Sequence, residues 1–294
     1  MAASLPVSDR FSKRGLDDFF VALNRRLCLA IGAIATFALA ATPNALAQSD
    51  SLRVATFNIN YANRNLAAIA AAIDDAASTI VCIQESNQKS ERHFRSTFLQ
   101  QFPHQHFIAH RGEYLEEGLA ILSKLPLSDV RFVPPKSGLF GTYYATFNLS
   151  GKSARIANVH LSPFLIRPGS GFREAYQALQ SSESIRKAEI QAIVEQVDAD
   201  HPTLICGDCN SLSWFVAPTR LAKERFIDSF ASVTQHADLH PTWRWPVDKP
   251  RLHARIDYIF HSNHFITESS RIVKTNGSDH FLLVSTLKKR PNAQ

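Results

Sequence analysis

Short apolar runs that each end in a polar group constrain this chain more than any other feature. In the clearest, Thr203-Leu204-Ile205-Cys206 reads as a buried strand, Gly207 lets it turn, and Asp208 and Asn210 stand two residues apart at its end. Residues i and i+2 of an extended segment point to one side, so this carboxylate and carboxamide face one ligand together. The pattern recurs. An alternating run from Leu52 to Phe57 ends at Asn58, Thr79 to Ile83 ends at Gln84-Glu85, and Asn158-Val159 leads to His160. Asp257 is embedded in Arg255-Ile256-Asp257-Tyr258-Ile259-Phe260, and Asp279-His280 precede the apolar run 281–287.

Between these runs, Leu66, Ile69, Ala70, Ile73 and Ala77 predict an amphipathic helix. With the strands on either side it makes a β-α-β unit, and parallel strands there send Asn58 and Glu85 out at the same sheet edge. Residues 90–102 read as a helix with Phe94, Phe98 and Leu99 on one face, and 104–110 as a strand whose alternating histidines mark an exposed side. A strand at 118–123 stops before Pro126. Segments 142–149 and 154–161 turn at Gly151 as a hairpin, so antiparallel pairing joins the earlier crossover. A Pro- and Gly-rich loop (162–171), a long helix (172–197), a short helix (218–226) and a Trp- and Pro-rich loop (241–250) follow. The last strands read as 255–260, 271–275 and 281–287. With no internal repeat or low-complexity tract, residues 48–294 read as one domain.

Residues 1–47 read as a cleaved signal peptide. Arg25-Arg26 precede an apolar run from Leu27 to Ala41 that is too short for a comfortable membrane span, and Ala45-Leu46-Ala47 supplies the small residues of a cleavage site. The expectation is an exported, periplasmic or secreted protein, by either the general or the twin-arginine route. Five of the 32 basic and three of the 26 acidic residues fall in 1–47, leaving 27 and 23. That balance tolerates a polyanion without demanding one, and no dense Lys/Arg tract marks a nucleic-acid footprint. Cys28 leaves with the leader. Cys82, Cys206 and Cys209 read as small buried hydrophobes, with a Cys206–Cys209 disulfide left open.

Singly, the polar tips have structural readings: Asn58 a turn residue, Glu85 the cap of a helix starting near Ser86, His160 a satisfied sheet histidine. Asp257 resists one, because a charge within a strand wants a partner. Collectively, Asn58, Glu85, His160, Asp208, Asn210, Asp257, Asp279 and His280 supply oxygen donors for a hard cation, Mg2+ or Mn2+, together with two imidazoles that titrate near neutrality. A cation, a positioned water, an anion clamp and an acid make up the equipment for hydrolysing phosphate esters.

Taken in order, Thr56-Phe57-Asn58, Ile83-Gln84-Glu85, the run from Glu117 to Ser123, Asn158-Val159-His160-Leu161, Gly207-Asp208-Cys209-Asn210, the run from Arg255 to Phe260 and Ser278-Asp279-His280 resemble the motifs of the endonuclease/exonuclease/phosphatase superfamily. The resemblance covers about residues 51–288. It implies an α/β fold, a four-layer αββα sandwich of two mixed β-sheets packed face to face with helices outside, and one active site at a shared sheet edge. It implies that Glu85 is the principal metal ligand with Asn58 and Asp279 beside it. Asp208 then orients or deprotonates the attacking water, and Asn210 holds the phosphate. His280, polarised by Asp257, steadies the phosphoryl oxygens, and His160, oriented by Glu117 or its neighbour Glu116, acts as acid toward the leaving oxygen. A histidine in the Val159-His160-Leu161 setting is similar to the deoxyribonuclease I and sphingomyelinase branches.

Substrate choice then falls to the loops. Tyr258-Ile259-Phe260 lacks the Arg-rich continuation of the inositol phosphatases. The loop 162–173 offers Arg167 and Arg173 with Phe164, Leu165 and Ile166, and the loop 241–253 offers Trp243, Arg244, Trp245 and Lys249. Aromatics interleaved with bases stack nucleobases, or rest on a lipid interface, or pack the loop onto the sandwich. The leading expectation is a phosphodiesterase of nucleic acid acting as a monomer without an obligate protein partner. An exported lipid phosphodiesterase or a phosphatase comes second, and an inactive binding module stands outside the enzymes.

Overall fold

The central strands of each sheet meet two different neighbours, one per face, and that pairing builds the architecture. The computed structural model describes residues 50–63, 65–108, 115–164, 171–245 and 252–291. The expected leader at 1–47, Leu165, Ile166, Arg167 and Lys249 lie outside the described residues. The first half of the chain runs β1 (Ser51–Asn58), α1 (Leu66–Ala76), β2 (Ile80–Gln84), α2 (Gln88–Thr97), β3 (His104–Ile108), β4 (Leu119–Ser123), β5 (Leu127–Val133), β6 (Thr142–Leu149) and β7 (Lys152–His160). The second runs α3 (Phe172–Val194), β8 (Thr203–Asp208), α4 (Val216–Lys223), β9 (Ile227–Asp228), β10 (Trp243–Trp245), β11 (Leu252–Ala254), β12 (Asp257–His261), β13 (Phe265–Val273) and β14 (Leu282–Lys289).

Two six-stranded sheets result, ordered β13-β14-β1-β2-β4-β3 and β5-β6-β7-β8-β12-β9, beside a two-stranded β10-β11 ribbon. Each large sheet holds one parallel pair, β1 with β2 and β7 with β8, among antiparallel neighbours. Leu52, Val54, Ile80, Cys82 and Ile121 of the first sheet pack against Ala145, Ile156, Leu204, Cys206 and Ile259 of the second. The alternate residues Ala55, Phe57, Val81 and Ile83 turn the other way, onto Ile69 and Ile73 of α1 and Phe94 of α2. Ala157, Val159, Ile205 and Phe260 turn outward from the second sheet onto Ile190 and Ile193 of α3 and Leu221 of α4. The fold is therefore the four-layer αββα sandwich of two mixed sheets. Each fully buried aliphatic or aromatic side chain contributes roughly 1.5–3 kcal/mol, so the three apolar layers hold the molecule together.

Several elements depart from the sequence reading. Residues 241–250 are not all loop: Trp243–Trp245 pairs with Leu252–Ala254. No strand is expected at 127–133, yet β5 packs Leu127, Val130 and Phe132 there against the interlayer core, across a register shift that breaks the alternation. β13 starts six residues before the expected 271. β12 opens at Asp257, so that acid begins a strand instead of interrupting one. α2 ends at Thr97, leaving Phe98 and Phe102 to reach the core from the turns that follow. The disulfide left open does not form, since Cys82, Cys206 and Cys209 are free. Cys206 faces the layer between the sheets, whereas Cys209, three residues on, faces α3 and α4.

Strand parity also brings the polar tips into the central layer. Asn58 shares its side of β1 with Leu52 and Val54, Asp208 shares its side of β8 with Leu204 and Cys206, and His160 shares its side of β7 with Ile156. Beneath them Asn158 fastens the sheets together. Its Nδ2 donates to the carbonyls of Ile83 and Ala120, each at 2.9 Å, and its Oδ1 accepts from Gln84 Nε2 at 2.6 Å. All these groups are buried, so none regains a partner in water once Asn158 is gone. Asn158→Ala is therefore expected to lower stability by about 3 kcal/mol. The check is a lower urea midpoint at unchanged slope, and a change below about 1 kcal/mol would dismiss the cross-sheet tie.

Candidate active site

Three neighbouring strands of the second sheet line up the floor of the site. His160 pairs in register with Asp208, and Asp208 with Asp257. β7 and β8 approach so closely just before this point that a Cβ on Gly207 would lie 1.9 Å from the Val159 carbonyl oxygen. Across the interlayer space, β1 and β2 deliver Asn58 and Glu85. Glu85 has φ 58° and Asn210 φ 44°, left-handed backbone that non-glycine residues adopt at a cost and that clusters at functional sites. Glu85 is no helix cap, because Asn87 caps α2 through the amides of Lys89 and Ser90.

All eight expected residues meet at this one place. Asn58 Nδ2 donates to Glu85 Oε1 at 2.8 Å and to Asp208 Oδ2 at 3.0 Å. Glu85 Oε2 accepts from the Tyr61 amide at 3.0 Å, and Asp208 Oδ1 from the Asn210 amide at 2.8 Å. Nε2 of His160 lies 3.8 Å from Glu85 Oε1 and 3.7 Å from Asp208 Oδ2. His280 Nδ1 bonds both oxygens of Asp257, at 3.0 and 3.2 Å, and its Nε2 lies 3.6 Å from Asp208 Oδ2. Asp279 accepts from Asn60 Nδ2 at 2.8 Å and from the Trp243 indole at 3.2 Å.

Burial sets the charges. It pushes the Glu85 carboxyl above its ordinary value. It also drives Asp208 up to about 7, with Asp257 adding to the rise and His280 opposing it. For His160, burial and then the neighbouring His280 lower the imidazole to about 3, against the backbone of Glu116, so this ring is neutral. Burial would lower His280 as well, but the carboxylates of Asp257 and Asp208 outweigh it and raise that imidazole to about 10. His280 is thus the cation of the site, and His160 a neutral hydrogen-bonding group.

The site opens into a cleft of about 800 Å3. Glu85, His160, Asp208, Asn210, Asp279 and His280 face it, while Asn58 and Asp257 stand behind. Its walls are apolar and aromatic: Leu139, Phe140, Pro163 and Phe164 on one set of loops, Trp243, Trp245 and Leu252 on the ribbon. Phe140 stacks on the His160 ring, centroids 4.1 Å apart and planes 10° from parallel. Of the basic residues expected here, the two among the described residues, Arg173 and Arg244, do not line the cleft. Alternation along β10 turns Arg244 away, to the Thr275 carbonyl and over the Phe281 ring. Arg173 is exposed in the first turn of α3 and does not line the cleft. A buried arginine that sequence reasoning missed, Arg186, secures the Phe164 loop by donating to the Ser162 carbonyl at 2.8 Å. Asn60 and Phe140 also escaped as site residues, and Trp243, expected in the cleft loop, was not foreseen as a partner of Asp279. Only the Asn58-x-Asn60 spacing carried a signal, the same i, i+2 figure as Asp208 and Asn210.

The donor set fits a hard divalent cation. Glu85, Asp208 and Asp279 present carboxylate oxygens to the cleft, and in Glu85 and Asp208 the charged form is penalised by burial with too few donors to offset it. Asn58 turns its amide nitrogen toward two of these acids and its oxygen to the Asn60 amide at 3.0 Å, acting as one such donor. Atoms of Asp208, Asp257 and His280 also lie within 4.8 Å of one another. Because His280 Nδ1 is committed to Asp257, that trio works as a hydrogen-bonded pair beside an acid.

The model of the endonuclease/exonuclease/phosphatase family matches residues 55–280. Among solved structures, the human Nocturnin catalytic domain with bound sulfate is 17% identical at a TM-score of 0.65, covering 82% of this chain and 96% of that one. An endonuclease/exonuclease/phosphatase from Beutenbergia cavernae is 19% identical at 0.61, covering 81% and 72%. D. rerio TDP2 complexed with a single-strand DNA product is 12% identical at 0.62, covering 81% and 99%. At such identities these likenesses show the fold. No curated protein matches the chain.

The buried Asp257–His280 pair makes a prediction about stability. Removing one charge of a buried pair costs about 3–5 kcal/mol, so metal-free Asp257→Asn should lose that much at pH 7 by urea unfolding. Because the folded state holds the His280 proton up to about 10, against an ordinary 6.5, the pair's contribution is complete below 6.5 and vanishes as pH rises through 10. The gap between wild type and variant should close over that window, and a gap independent of pH would refute the pairing.

Proposed function

The chain belongs to the endonuclease/exonuclease/phosphatase family of phosphate-ester hydrolases, and on that premise we propose that it is a Mg2+- or Mn2+-dependent phosphodiesterase of nucleic acid, exported under the leader at 1–47. One observation carries this reading: Glu85, His160, Asp208 and His280 converge from both sheets on a single cleft, within 4 Å of one another through Asp208 and Glu85. A relative with the same fold solved with a DNA product supports the choice of nucleic acid.

Glu85 and Asp279 are the residues that would hold the cation, which when bound polarises a phosphoryl oxygen and offsets its developing charge. Asn58, read as a ligand from sequence, instead donates its amide to Glu85 from behind. Asp208, raised to about 7, accepts a proton from the attacking water near neutral pH. Asn210 projects into the cleft beside it and holds the phosphate. Charged His280, oriented by Asp257 through Nδ1, directs Nε2 at the phosphoryl oxygens. His160, with Nε2 turned toward Glu85 and Asp208, serves the leaving oxygen. Phe140 holds that ring flat.

A second reading, an exported lipid phosphodiesterase, is favoured by the cleft walls. They are aromatic and aliphatic, and among the described residues no lysine or arginine lines them. The two readings separate when plasmid DNA, RNA and sphingomyelin are offered in parallel with Mg2+ and with EDTA. Cleavage of DNA or RNA but not sphingomyelin, abolished by EDTA, is the expected result, and the reverse selectivity overturns the choice of nucleic acid. Asp208→Ala and His280→Ala should each lower turnover of a bis-aryl phosphodiester at least about 100-fold while the fold persists. Activity equal to wild type, or absent in all three proteins, would instead favour a binding module.

A further inference from the structure

Asp257 and His280 belong to different sheets. Asp257 opens β12 of the second sheet, and His280 lies two residues ahead of β14 in the first. Their hydrogen bond therefore crosses between layers at a point where the strand ladders have run out. On the side of β12 away from β8, β9 pairs only with Phe260 and His261, and pairing of β14 begins at Leu282. The buried amides of Ile256, Asp257 and Phe281 still require acceptors.

Thr242 supplies all three. Its hydroxyl accepts from the amides of Ile256 and Asp257, both at 3.1 Å, and its carbonyl accepts from Phe281 at 2.7 Å. Its own amide donates to the Ala254 carbonyl at 2.9 Å. The next residue continues the clamp, since Trp243 forms an antiparallel bridge with His280. Thr242 is fully buried and does not line the cleft, so it touches no substrate.

From this geometry we propose that Thr242 is a positioning residue: by tying the start of β12 to the segment before β14 it sets the spacing of the Asp257–His280 hydrogen bond. The inference rests on the phosphodiesterase reading for what the pair accomplishes, but not for how the pair is held. Valine matches threonine in shape and lacks the acceptor, leaving two buried amides unpaired. Serine keeps the hydroxyl. Misplacement of the pair lowers turnover, whereas ground-state binding persists because the side chain lies outside the cleft.

The test compares wild type, Thr242→Val and Thr242→Ser in Mg2+-supported hydrolysis of bis-nitrophenyl phosphate, with the slowly exchanging Nδ1–H resonance of His280 followed by NMR. Thr242→Val should lower kcat roughly 10–100-fold with KM within about twofold, and the ring N–H signal should disappear. Thr242→Ser should keep both. Unchanged kcat in the valine variant, a fall in kcat with the ring signal intact, or an equal fall in the serine variant would each overturn the proposal. If the valine variant does not fold, Thr242→Cys, a weak acceptor, takes its place under the same criteria. A wild type that hydrolyses no phosphodiester sinks the proposed function instead. The ring signal then decides alone: retained in the variant, it overturns the role of Thr242, and lost, it supports it.

Discussion

Negative charge buried between two sheets is the constraint on which the rest of this molecule depends. Asp208, Asp257 and Asp279 are at most 8% exposed and Glu85 is nearly as enclosed, while the one imidazolium among them is His280. In a medium of low polarisability such a group is tolerated only when every oxygen finds a donor. The surroundings are arranged accordingly. The amides of Asn58 and Asn60, the indole of Trp243 and the backbone N–H groups of Tyr61 and Asn210 all point inward at carboxylate oxygens. The deficit that remains appears as the raised Glu85 and Asp208, and it is also what makes the cleft receptive to a cation.

Stability and chemistry divide along the strands. Toward the interior the central layer is aliphatic and closed by Asn158, a neutral cross-tie whose hydrogen bonds are all internal. Toward the edge the same rows of side chains become ionisable, and the backbone enters left-handed conformations at Asn60, Glu85 and Asn210. An apolar interior supports an edge that by itself is unfavourable, as expected where strain and buried charge persist for function. The two imidazoles show the same division. Similar burial leaves one neutral and one charged, and the difference lies in Asp257, which bonds His280 and not His160.

The β10-β11 ribbon joins recognition to this charged edge. Trp243 and Trp245 form one wall of the cleft, yet Trp243 also bonds Asp279, and Arg244 between them anchors the ribbon on its far side. A side chain that lines the cleft is in this way part of the scaffold of the acid. The opposite wall is secured differently, by the fully buried Arg186 reaching the Ser162 carbonyl beneath Pro163 and Phe164. Among the described residues both walls are apolar where they face the cleft, and neither carries a lysine or arginine.

Much of this was legible in one dimension because strand alternation is local. Period-two patterning told which residues of 52–58, 203–208 and 154–160 share a side, and hence that Asn58, Asp208 and His160 continue apolar rows into a polar tip. It equally implied that Cys206 and Cys209 face apart and that Arg244 points opposite to its flanking tryptophans, though neither consequence is visible until the strand boundaries are known. Tertiary structure alone decided what each row meets. The contact of Asp257 with His280, the stacking of Phe140 on His160 and the capture of three amides by Thr242 join residues 14 to 39 positions apart, with no periodic signature to announce them. Side-chain direction follows from the backbone repeat, whereas charge state and contact across layers follow from the packing of distant segments, and no short window of sequence encodes that.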